Sequence, residues 1–175
     1  KKQRGDIKMV LKEAFQYQNF LHDKLVDIQE ILIEEGNVMC VKEEHNVSHS
    51  IKEQEDKVLE TKALEDYDFN VNNLIDLLAD IVYEKERLTN KISEVKKSAG
   101  LDIDGIIAIN KDKLQVSRTL EYLSKLKSKE TETVGRTYAF NGEGNQIQVV
   151  YPVKRIQTID YDRNVVKNLY KNIKK

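Results

Sequence analysis

The chain has no tryptophan, one cysteine and one proline in 175 residues. A lone Cys40 cannot close an internal disulfide, so nothing implies an oxidising compartment. No apolar run approaches the roughly 20 residues that span a bilayer, and no signal-peptide core is visible. The expectation is a cytoplasmic protein without a transmembrane segment. Sparse aromatics and 34% charged residues argue against a single compact ball. They suit long solvated helices that touch along narrow apolar stripes.

Charge of either sign is not scarce, but it is segregated. Positions 36–70 carry four Lys against nine Asp or Glu, a net of minus five, whereas positions 133–175 carry eight Lys or Arg against three acids, a net of plus five. Such asymmetry can steer one part of a molecule toward another or toward a neighbouring copy, but the reading taken is uneven solvation of the surface.

The strongest positive signal is a heptad-like seam from Val71 to Ala99. It reads Val71, Leu74, Leu78, Ile81, Lys85, Leu88, Ile92, Val95, Ala99, in steps of three and four, and only Lys85 breaks it. A second seam, Ile7, Leu11, Ala14, Gln18, Leu21, Leu25, Ile28, Leu32, predicts a helix from Asp6 to Glu35, with Gly36 past its end. Their matching lengths predict an antiparallel coiled-coil hairpin, with Gln18 and Lys85 either sharing one polar layer that fixes the register or turned outward to water.

Between the seams, positions 36–70 read as an acidic connector with a short helix of its own or a mobile course. Asp102 or Asp104 opens a third helix through Lys127, whose stripe of Ile106, Ile109, Val116, Leu120 and Leu123 is flanked by Ile107, Leu114 and Leu126. Two apolar stripes predict two packing partners. The period then changes to two: positions 136–140 and 146–151 read as strands joined by Asn141–Asn145, a glycine-containing hairpin loop. Pro152 is expected at an edge or bulge, and 153–159 extends the strand. Asp160 caps a last helix with Val165, Val166, Leu169 and Ile173 inward. That pattern reaches Lys175 without a stop signal, so the natural chain is expected to continue.

Motifs for chemistry are weak. His45 and His49, four residues apart with Cys40, Glu43 and Glu44 nearby, are the only candidate metal ligands. Asn46 stands where a metalloprotease needs its Glu, so the reading taken is a polar loop without metal. Asp66, Asp68 and Asn70 have calcium-loop spacing, but Val71 and Leu77 occupy the positions that require Gly and Glu. Gly142-Glu143-Gly144 joins strands and lacks the Lys-Ser/Thr of a phosphate loop. No catalytic residue and no cofactor is assigned. The basic end, with Arg155, Arg163, Lys167, Lys171, Lys174 and Lys175 beside Tyr138, Tyr151, Tyr161 and Tyr170, is the place where nucleic acid or an anionic surface would bind. Near-zero net charge ranks that second.

The segments at 11–38, 74–92 and 106–123 resemble an uncharacterised bacterial family of helical-hairpin proteins, some labelled septicolysin-like. That resemblance implies a helical, oligomeric fold and carries over no catalytic residue.

The sequence therefore predicts a mainly helical α+β protein: a coiled-coil hairpin, a third helix, a small β-hairpin and a C-terminal helix. The division is a helical region at 1–132 and a hairpin-plus-helix region at 133–175. The expected role is a non-enzymatic, self-associating scaffold of a bacterium or prophage, a homo-oligomer with room for an unidentified protein partner. Its interaction residues are Gln18, Lys85, Tyr138, Phe140, Tyr151 and Arg155.

Overall fold

Apolar side chains at helical spacing bury best against a neighbouring helix, and alternating ones against a sheet. The chain does both. The computed structural model describes residues 11–97 and 104–174. Expectations for Asp6, Ile7, Ala99, Asp102 and Lys175 fall outside them, as do the side chains of Val95, Asp104 and Ile106. Among the described residues the class is mixed α+β, with five helices and one four-stranded antiparallel sheet.

Two compact units are each assembled from separate stretches of chain. The helical unit takes residues from 11–33, 73–97, 104–124 and 162–174, and the sheet unit takes 34–72 and 125–161. A division at 132/133 falls inside a strand.

In the helical unit, α1 (Leu11–Ile33), α3 (Val71–Lys97) and α4 (Asp104–Lys125) carry the core. Every described seam position of α3 is buried, from Val71 through Lys85 to Ile92, and Ile75, Ala79, Val82, Thr89 and Ser93 add a second buried stripe. A helix buried on two adjacent stripes needs two neighbours. Side-chain contacts identify them. Ala14 clusters with Leu88 and Ile92, and Gln18 bonds Thr89, so α1 and α3 run antiparallel. Glu86 pairs with Lys113 on α4, and Gln29 on α1 bonds Thr119 on α4 at 3.1 Å. The main stripe of α4 is buried at Ile109, Val116, Leu120 and Leu123, whereas Ile107 and Leu114 on the flanking stripe are more than half exposed.

The last helix, α5 (Arg163–Ile173), is capped by Asp162, whose carboxylate accepts from the backbone N–H groups of Asn164 and Val165. The capping residue lies two positions beyond the expected Asp160. Val166 and Ile173 point inward, while Val165 stays largely exposed.

The acidic connector is ordered into structure that its helix-like pattern did not suggest. It forms a four-residue turn, α2 (Glu35–Val38), then β1 (Met39–His45), a 3-10 turn at Val47–His49 and β2 (Lys57–Thr61). With β3 (Lys129–Phe140) and β4 (Gln146–Ile159) the sheet order is β2-β1-β4-β3. Met39 and Cys40 pair with Ile159 and Thr158, and β1 runs out at His45 opposite Val153. Beyond that point, 134–140 and 146–152 continue as a two-stranded ribbon. Gly144 closes its tip at φ +80°, a conformation glycine adopts without Cβ strain, and the Asn141 carboxamide oxygen accepts from the N–H groups of Glu143 and Asn145. Pro152 lies within β4, not at a bulge. Its carbonyl accepts from the Asn46 N–H at 3.1 Å, so its missing donor faces the side where β1 has ended.

Candidate functional site

Among the described residues, the helical unit buries an ion pair. Lys85 and Asp112 are joined in a salt bridge with their side chains only 5% and 10% exposed. Taking both charges out of water is costly, and the pairing with its extra hydrogen bonds offsets that cost. The His22 Nδ1 lies 3.2 Å from the Lys85 ammonium and 3.3 Å from the Asp112 carboxylate. Gln18, one turn along α1, donates to Thr89 at 2.9 Å. Gln18, His22, Lys85, Thr89, Asp112 and Gln115 line an open groove of about 390 Å³.

Gln18 and Lys85 thus line the same groove with different partners, one helical turn apart. A heptad seam marks the positions that face a neighbour, but it leaves the register free by a turn. The third party, Asp112, sits on the α4 stripe as an isolated acid among apolar residues, between Ile109 and Val116. That break in the pattern was the available signal, and it matches the break at Lys85.

In the sheet unit, side chains of paired residues share a face. On one face, Tyr151 lies over Gly135, its cross-strand partner: a Cβ added at Gly135 would overlap the phenol group. The hydroxyl of Tyr151 meets His45 Nδ1 at 3.1 Å, the other ring nitrogen of His45 lies 3.3 Å from Glu43, and Arg155 lies 3.6 Å from the same carboxylate. His45 is therefore engaged in a polar network, and His49 is exposed at the end of the 3-10 turn. No group of three His, Cys, Asp or Glu side chains suited to a metal occurs among the described residues. The turn itself is tied by Asp56, whose carboxylate accepts from the Ser48 N–H at 2.9 Å, a bond that holds this acid below its ordinary pKa.

On the opposite face, Val134, Tyr138 and Phe140 of β3 and Val150 of β4 are 65%, 61%, 75% and 50% exposed. Arg136 projects between them, directly across from Val150. Closer to β1 this face turns ionic: Lys154 pairs with Glu130, which raises its pKa, with Glu132 beside it. Tyr138 and Phe140 are thus brought together, while Tyr151 and Arg155 belong to the other face. Of the other two tyrosines grouped with the basic end, Tyr161 is buried and the Tyr170 ring lies under the Lys174 ammonium. Lys167 and Lys171 are exposed on α5.

No helix among the described residues is long and apolar enough to cross a membrane. No family model, no curated protein and no solved structure matches this chain.

Proposed function

We propose that this is a non-enzymatic, self-associating structural or scaffold protein. The observation that carries the reading is the exposed face of the β3–β4 ribbon, where Val134, Tyr138, Phe140 and Val150 present adjacent apolar side chains to water. Aromatic and aliphatic groups gathered on one projecting surface are the compositional mark of an interaction site. The ionic groups of the bundle point the same way. Lys85, Asp112 and His22 satisfy one another, which is the behaviour of a buried register-fixing layer.

The α1–α3 pair is read as a coiled-coil hairpin, and Ile107 and Leu114 on α4 as a second apolar stripe available to an oligomer. A bacterial or prophage source and the septicolysin-like resemblance belong to the same proposal. Light scattering across a hundredfold concentration range tests it: a mass above that of one 20.3 kDa chain is expected, and a single-chain mass throughout overturns it.

A second reading, binding to nucleic acid or an anionic surface, is favoured by the exposed Lys167 and Lys171 on α5. Retention on DNA, RNA or anionic vesicles at low salt that is lost as salt rises supports it; no retention at low salt removes it.

A further inference from the structure

We infer that β3 is a self-pairing edge, and that a second copy of this chain adds its own β3 antiparallel to it about a two-fold axis at Val134. The inference rests on the self-association reading and names its surface.

Backbone parity comes first. In an antiparallel ladder, alternate residues turn both N–H and C=O toward the same neighbour. The Pro152 carbonyl is bonded to Asn46, so the polar groups of Pro152 point away from β3. Its partner Val134 therefore points its own N–H and C=O away from β4, and so do the other even-numbered residues of β3, from Glu130 to Phe140. Among the described residues no strand lies on that side, because β3 ends the sheet order.

Edges are normally blunted by proline, a bulge, shortness or charged side chains, lysine above all; after Lys129 the charges on β3 are Glu130, Glu132 and Arg136, of both signs. The other edge, β2, is five residues long. β3 is twelve residues long, pairs one-to-one with β4 without a bulge, contains no proline, and has its only lysine, Lys129, at its start.

The side chains fit one occupant. Centring two antiparallel copies on Val134 sets Glu132 opposite Arg136 of the second copy and, by symmetry, Arg136 opposite Glu132. It also sets Glu130 opposite Tyr138, a carboxylate facing a phenol. All of these residues have outward-pointing backbone groups, so five pairs supply roughly ten new hydrogen bonds. Arg136 makes no ion pair within the chain among the described residues, although it lies on an exposed apolar face. Opposite charges directly across a ladder stabilise it and like charges oppose it. The two-fold also joins the exposed faces of the copies, so Val134, Val150 and their mates become one continuous apolar patch.

Charge reversal tests the register. Light scattering and sedimentation are run on the full chain, on Arg136→Glu, on Glu132→Arg and on the doubly reversed chain. Each single reversal places two like-charge pairs across the axis, and the dimer dissociation constant is expected to rise about tenfold or more. The double reversal restores the pairs, and with them an affinity within about twofold of the original; this rescue also excludes misfolding as the cause. Single reversals without effect on a chain that still self-associates overturn β3 pairing and leave the self-association reading standing. A double variant as weak as the singles overturns the register. A wild-type chain that is monomeric throughout overturns both readings.

Discussion

The two units handle the same problem, polar groups beside apolar ones, in opposite ways. In the helical unit the buried cation Lys85 is closed off by Asp112 on α4 and His22 on α1. In the sheet unit the cation at the centre of the apolar face, Arg136, has no carboxylate partner in its own chain among the described residues, and the strand that carries it has a free edge. The buried group is complete within the chain. The open edge is the surface on which the proposed self-association rests.

The largest effect that separates the units is in the core. Leu78 of α3 is fully buried, so Leu78→Ala should lower unfolding free energy by about 2–5 kcal/mol in chemical denaturation. Truncating the exposed Phe140 to Ala should change it by less than about 0.5 kcal/mol. Comparable losses at the two positions would erase the contrast.

Next comes the ion pair. Lys85→Leu leaves Asp112 buried without its ammonium partner, and a loss of about 3 kcal/mol is expected. Replacing Lys85 and Asp112 together by leucine should come within about 1 kcal/mol of the parent, since an apolar pair avoids the desolvation cost. A double variant as unstable as the single one would show that the layer does more than satisfy itself.

Gly135→Ala is smaller. The new Cβ displaces the Tyr151 ring and its contact with His45, at a cost of about 1–2 kcal/mol that should shrink in a Tyr151→Ala background. An additive double-mutant cycle would refute the ring-over-glycine contact.

Smallest is the tie between Asp56 and Ser48. Because the folded-state pKa of Asp56 is depressed, its contribution is present above the ordinary carboxyl range and is lost as pH falls through and below about 4. Amide exchange at Ser48 should report that loss, after correction for intrinsic rates, and Asp56→Asn should abolish its pH dependence. An identical profile in the variant would assign the protection elsewhere.

How far these features were legible in the residues follows from the range of the interactions. The α3 stripe from Val71 to Ile92 is local periodicity, and burial follows it position by position. The hairpin loop at Asn141–Asn145 is local turn chemistry, and it too stands as read. β1 escaped notice because Met39–His45 is half charged and gains its strand conformation from β4, more than a hundred residues away. The first half of β3, Lys-Glu-Thr-Glu-Thr, is polar on both faces and has no apolar alternation to reveal it. Asp112 was visible as a break in its own stripe, but its pairing with Lys85 depends on a helix–helix register that neither stripe fixes alone. Tyr138 and Phe140 were legible as a pair, but the face they share excludes Tyr151 and Arg155, because cross-strand register decides faces.

The most direct test of the open edge is residue-resolved amide hydrogen exchange along β3 at low and high protein concentration. Odd-numbered amides such as Gly135 and Thr137 bond β4 within one chain and should be protected at both. Even-numbered amides at Glu132, Val134 and Arg136 should exchange freely in dilute solution and become protected as concentration rises. Free exchange of the even-numbered amides at every concentration, in a chain whose odd-numbered amides stay protected, would contradict the account.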